Sequence, residues 1–264
     1  MATNPNPHGA LDFSSHVERL YAALACSALL DFRPALPDSS PGHEPSLGGK
    51  LLYAGSLDAQ TRALLVAANI AGAASLAVSA DSEASKLAIR DGVVDFLVNS
   101  LDEALRILKN EIRKRNPVAV CVATAPHAAE ADFAREMLER GVRPDFPSRI
   151  EPIPLSPGQV LMAWSVASEA ARWLPRLDAL VLHCLDSDLN PDAAQARRWL
   201  RLAPRYLGRM ARDVRVLRCD EQTAVRFQQE IREQVTRGAI GVTVDLWQSR
   251  NKQTALSSFA PPAR

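Results

Sequence analysis

Between residues 50 and 141 the apolar and polar positions settle into one rhythm. Short apolar runs (Lys50–Ala54, Ser75–Ser79, Val93–Val98 and Val118–Ala123) alternate with longer stretches whose apolar residues recur at helical spacing. Helices are expected over Asp58–Ile70, Glu83–Arg90 and Leu101–Arg115, with a fourth that starts at Pro126 and ends at Arg140-Gly141. Ser100 is placed to cap the third, with Asp102 and Glu103 in its first turn and Lys114 and Arg115 in its last, matching the helix dipole. Val118–Ala123 is apolar without interruption, as a strand buried on both faces would be. This alternation with short connections predicts an α/β fold: a doubly wound, mainly parallel sheet with helices on both faces.

The flanks read differently. Val17, Leu20, Tyr21, Leu24 and Leu29 give an apolar face to a helix capped by Ser14 or Ser15, after a polar start (1–10) expected to be disordered. Prolines 34, 37, 41 and 45 with Gly42, Gly48 and Gly49 then make a linker or arm. Residues 1–47 are therefore expected to form an N-terminal helical arm, a dimerisation element or a lid. Prolines 144, 147, 152, 154 and 157 mark the clearest internal boundary. Beyond it the pattern predicts a helix from Ser156-Pro157 to Trp173, a strand over Ala179–Cys184 and a helix from Asn190 to Met210 interrupted at Pro204. A strand at Val214–Cys219, a helix at Glu221–Arg237 and a last strand at Ile240–Leu246 follow. The expected division is 1–47, 48–146, a second α/β segment 147–248 extending the same sheet, and a polar mobile tail 249–264.

Composition adds exclusions. A net charge of +1 supplies no basic field for nucleic acid or an anionic membrane. No apolar run reaches membrane-spanning length, and the N-terminus lacks a signal-peptide pattern. The four cysteines lie far apart, and Cys121, Cys184 and Cys219 fall in or beside apolar runs, so buried reduced thiols and a cytoplasmic location are expected. No metal site is expected, because no Cys or His pair has ligand spacing.

Candidate chemistry concentrates at strand ends. After the first strand the chain reads Gly55-Ser56-Leu57-Asp58-Ala59-Gln60, where a dinucleotide site would read GxGxxG. One glycine remains, and Asp58 at a helix start repels phosphate while capping the helix. Either this is an ordinary capped helix, or Ser56 and the remaining N–H groups hold a nucleoside or small anion. Asp81 after the second strand suits a ribose hydroxyl or a cap. If a nucleotide-type cofactor or ligand is held, Gly55, Ser56, Asp81 and Thr124 are the residues expected to hold it. His183-Cys184-Leu185-Asp186-Ser187-Asp188, read as a strand end, offers acid–base groups or helix caps. The arginines at 197, 198, 201, 205, 209, 212, 215 and 218 form either a solvated helix face or a dock for an anionic partner; nucleic acid is not the expected one.

Four stretches, GGKLLYAG, VAANIAGAASLAV, VDFLVNSLDEALRIL and MLERGVRPD, give Gly48–Asp145 a resemblance to the Rossmann-like NAD-binding domain of urocanase (urocanate hydratase). The resemblance implies a Rossmann-like fold and a family history in which bound NAD acts as an electrophile towards the imidazole of urocanate during water addition. The family's glycine-rich NAD turn aligns with Gly55–Thr61 and is lost apart from Gly55. The family's polar loop after RGVRPD is replaced by Phe146-Pro147-Ser148-Arg149-Ile150. No catalytic residue carries over, and no bound cofactor is expected, although NAD is what the resemblance would imply. The leading expectation is a urocanase-like protein without hydratase activity that serves in small-ligand or nucleotide binding, regulation or scaffolding, as a homo-oligomer through its N-terminal arm. The alternatives are an enzyme with a relocated site near Thr124 and His183 acting on a small anionic or nucleotide substrate, a divergent NAD-binding lyase, or an arginine-rich helix that docks a protein or RNA.

Overall fold

The first helix, α1 (Pro7–Asp31), begins well before the serines expected to cap it. Proline lacks the N–H that a helix start leaves unpaired, so Pro7 fits a first turn. Ser14 lies inside the helix, fully buried. A computed structural model describes residues 7–31, 46–124, 130–146, 149–185, 191–250 and 253–262. The chain divides into two compact units. One takes the described residues of Arg19–Ile153 with Tyr206–Gly208; the other takes those of Met1–Glu18, Pro154–Arg205 and Arg209–Arg264. Val17, Leu20 and Leu24 of α1 are at most 1% exposed. These residues of the expected apolar face are therefore core positions rather than an exposed face.

In the first unit, β1 (Leu51–Ser56), α2 (Ala59–Ala71), β2 (Ala74–Ser79), α3 (Ser82–Arg90), β3 (Phe96–Val98), α4 (Leu101–Lys114), β4 (Val118–Ala123) and α5 (Glu130–Glu139) alternate as expected. The sheet is parallel with order β1-β2-β4-β3. Right-handed crossovers then place α2 and α3 on one face and α4 and α5 on the other. Packing agrees. Leu51, Tyr53, Leu76, Val78, Val120 and Val122, alternate residues of three strands, share one apolar cluster with Leu105 and Leu108 of α4 and Phe133 and Met137 of α5. Caps set the helix starts: Asp58 on Thr61 N–H, Asp81 on Glu83 and Ala84, and Ser100 on Glu103. The expected Rossmann-like α/β arrangement holds for this part of the chain.

After α5 the chain returns to the outer edge of β1. Asp145 Oδ2 accepts from Leu51 N–H at 2.8 Å, Asp145 N–H donates to Leu51 O at 2.8 Å, and Lys50 Nζ pairs with Asp145 Oδ1 at 3.2 Å. Phe146 adds a parallel bridge to Leu52. The two ends of the stretch that carries the family resemblance are thus bonded to each other.

The second unit does not extend this sheet. Its strands are β5 (Gln159–Val166), β6 (Val214–Asp220), β7 (Val244–Arg250) and β8 (Gln253–Phe259), antiparallel in the order β6-β5-β7-β8. Its helices are α6 (Ala170–Cys184), α7 (Pro191–Leu207) and α8 (Glu221–Thr236). Three expectations are corrected. Residues 159–166, expected in a helix, form the central strand. Val160–Trp164 are buried without a break because both faces are covered, and such a run carries no period of two. Residues 179–184, expected as a strand, complete α6, whose buried Trp173, Leu174, Leu177, Val181 and Cys184 keep helical spacing across Pro175. The expected mobile tail contains β8, paired along β7 from Val244↔Phe259 to Arg250↔Gln253.

One face of this sheet packs Trp164 edge-on against Phe227 of α8, with centroids 5.1 Å apart. The other packs Leu161, Ala163 and Val216 with Leu11 of α1. On that side Glu18 accepts from Arg218 at 3.1 and 3.3 Å, and Arg218 also donates to Pro154 O. Both side chains are nearly buried, at 5% and 11% exposure. No helix among the described residues is long and apolar enough to cross a membrane. Removing one member of a buried pair strands the other charge, so Glu18→Ala is expected to destabilise by about 3–5 kcal/mol in urea denaturation. Replacing the pair by Glu18→Leu with Arg218→Met is expected to recover most of that loss, because it removes the stranded charge too.

Candidate functional site

β1 runs two residues further than its apolar pattern suggests, so Gly55 and Ser56 belong to the strand. Register against β2 slips between Tyr53 and Gly55, which leaves Ala54 as a bulge. Gly55 takes φ +80°, a left-handed value that glycine adopts without strain. A Cβ there would stand 2.5 Å from Glu130 Oε1. The one glycine kept from the phosphate-binding pattern therefore has two other tasks: it makes the bulge, and it lets a carboxylate approach the backbone.

That carboxylate comes from the first residue of α5. Ser56 N–H donates to Glu130 Oε2 at 3.1 Å and Ser56 Oγ donates to the same oxygen at 2.7 Å. The neighbouring donors are committed as well. Leu57 N–H goes to Val78 O, Asp58 N–H to Ser56 O, and Thr61 N–H to Asp58 Oδ1. Thr61 Oγ1 reaches back to Ala54 O. Between Ser56 and Thr61 only the N–H groups of Ala59 and Gln60 lack a partner among the described residues, and they lie beside the Asp58 carboxylate. A cavity of about 90 Å³ adjoins this contact, lined in part by Ser56, Asp58, Glu130 and Arg149. A site for a whole small molecule is commonly about 300–1,000 Å³.

The crossovers change direction between β2 and β4, and open α/β sheets place ligands at the strand ends at such a point. Asp81 and Thr124 stand there. Thr124 N–H donates to Ser79 O at 2.8 Å, tying the two strand ends together. Asp81 Oδ1 takes the Glu83 and Ala84 N–H groups, which leaves Oδ2 exposed and without a partner among the described residues. All four expected residues thus lie along the C-terminal edge of one sheet. Gly55 and Ser56 meet Glu130, while Thr124 and Asp81 both bond to Ser79 at the end of β2.

His183 belongs to a different element from the one expected. It lies on α6 in the other unit, on a helix and not at a strand end, and Asp186 lies outside the described residues. The relocated site expected from those residues loses its premise. No group of three or more His, Cys, Asp or Glu side chains among the described residues is arranged to hold a metal. Within the arginine stripe Arg215 pairs with Asp178 and Arg218 with Glu18, and none of Arg197, Arg198, Arg201 and Arg205 is free. Cys121, Cys184 and Cys219 are buried, and burial raises the Cys121 thiol pKa to about 11.

Two residues of this region escape sequence reasoning. Glu130 is 74 positions from Ser56, so no local pattern links them. For Tyr53 the one available signal is its polar tip in the apolar run LLYAG. It is 6% exposed, its ring stacks on Phe133 at 6.0 Å, and its hydroxyl has no hydrogen-bond partner among the described residues. Burial, and then the charge of Glu130, raise its pKa.

Compared with known families, residues 41–150 match the model of the urocanase Rossmann-like domain. The match brackets the resemblance at 48–145 and covers less than half of the chain.

Gly55→Ala is expected to cost about 1–2 kcal/mol from left-handed backbone alone, plus the loss of the Ser56–Glu130 contact as the carboxylate moves off. In a urea-denaturation cycle with Glu130→Ala the two changes are expected to couple by more than about 0.5 kcal/mol. Additive effects would mean that the carboxylate does not rest against Gly55 in solution.

Proposed function

We propose that the Rossmann-like unit is a small-ligand-binding module, regulatory or scaffolding in role, that has not kept urocanate hydration. One observation carries this reading: the protein's own Glu130 carboxylate is bonded to Ser56, where a dinucleotide's phosphate would lie. A pyrophosphate needs bare N–H groups at the start of the helix and a glycine path for its approach. Here Glu130 and Asp58 put two negative charges at that position, and the Ser56, Leu57, Asp58 and Thr61 N–H groups are already bonded. These residues do not fit NAD. The absence of the family's polar loop after Asp145 supports the same conclusion for the hydratase reaction.

The unpartnered Asp81 Oδ2 at the switch point favours a ligand that brings a hydroxyl donor, such as an unphosphorylated nucleoside. Denaturing the purified protein and measuring released NAD by mass spectrometry tests the reading, alongside urocanate consumption followed by absorbance. Substoichiometric NAD and no turnover are expected. One NAD per chain, or turnover, would overturn the proposal. Glu130→Ala removes a charge and frees the Ser56 donors, so inorganic pyrophosphate is expected to bind this variant about tenfold more tightly than the parent.

A further inference from the structure

An open-sided cleft of about 670 Å³ lies between the edge of β1, the start of α5 and the returning segment at Asp145. Its walls are apolar, formed by Tyr53, Ala131, Ala134, Pro144 and Phe146. Its charged groups are the carboxylates of Glu130 and Asp145, and no lysine, arginine or histidine is among the described residues that line it. Asp145 is already satisfied by Leu51 N–H and Lys50 Nζ. Glu130 is not. Both Ser56 donors go to Oε2, and Oε1 has no hydrogen-bond donor among the described residues.

The second observation is Tyr53. Its side chain lines the same cleft, it is 6% exposed, and its hydroxyl is buried with no partner. A buried hydroxyl without a partner loses its bonds to water and gains nothing in return. The hydroxyl is both donor and acceptor, and Glu130 Oε1, on the same cleft lining, is an acceptor that also lacks a donor among the described residues. An ammonium group carries three donors and a charge opposite to that of Glu130. An aliphatic or aromatic body would rest on the alanine, proline and phenylalanine walls.

We propose that this cleft binds a small organic cation, a primary ammonium on an apolar body, through Glu130 and the Tyr53 hydroxyl. The inference rests on the reading of this unit as a small-ligand-binding module and gives that module a ligand class. Anions are disfavoured by Glu130, which has no compensating cation among the described residues of the cleft lining.

Benzylammonium, benzyl alcohol and benzoate share one body and differ in charge, so titrating all three into the full chain by NMR tests the proposal. Benzylammonium is expected to bind most tightly and benzoate least. Glu130→Gln removes a charge-assisted bond and is expected to weaken benzylammonium about tenfold or more. Tyr53→Phe separates a binding role from a structural one. Loss of the unpartnered hydroxyl is expected to raise the ligand-free Tm by about 2–4 °C while weakening benzylammonium about two- to tenfold. The proposal is overturned if none of the three binds, if benzoate binds as well as the amine, or if Tyr53→Phe leaves the affinity unchanged. Each of those results leaves the NAD and urocanate measurements standing, whereas stoichiometric NAD would remove the reading on which the inference depends.

Discussion

The clasp between Asp145 and the start of β1 sets the rest of the Rossmann-like unit. Two backbone-linked hydrogen bonds and an ion pair fix residue 145 against Leu51 and Lys50. From there the preceding helix must run back along the sheet. α5 has 10 residues, about 15 Å at 1.5 Å per residue. β1 covers a similar distance from Leu51 to Ser56, about 16 Å at 3.3 Å per residue. The lengths match, so the first residue of α5 arrives beside the last residues of β1. Glu130 meets Ser56 at one end of this strand and helix, and Asp145 closes the other end against Leu51 and Lys50.

That meeting decides the chemistry of the strand end. In a dinucleotide-binding sheet the first strand-to-helix turn is held open by glycines so that a phosphate can reach bare N–H groups. Here the strand continues through Gly55, bulges at Ala54 and hands its N–H to a carboxylate of the same chain. The match to the urocanase Rossmann-like domain and the altered turn are therefore compatible. The framework needs strands, crossovers and the Asp145 clasp, none of which depends on the glycines that a cofactor requires.

The other unit rests on a different constraint, the nearly buried pair of Glu18 and Arg218. Arg218 lies on the sheet face that packs against Leu11, opposite the face that holds Trp164 and Phe227. Once buried, its charge needs an acid, and α1 supplies it. This ties the start of the chain to β6, a relation 200 residues long in sequence. It explains how a helix that reads as an appendage becomes core.

The first unit was legible because its signals are local. Strand runs and N-caps at Asp58, Asp81 and Ser100 each act within a few residues, and these set the order of elements and the fold class. The second half was less legible because its signals were masked by burial. With both faces covered, Val160–Trp164 shows no alternation, and Pro175 hides the helical spacing that continues to Cys184. Of the candidate site, the sequence by itself placed Gly55, Ser56, Asp81 and Thr124 at strand ends. Only tertiary structure decided what Gly55 and Ser56 bind, because their partner, Glu130, is 74 positions from Ser56 and no short-range pattern encodes the contact.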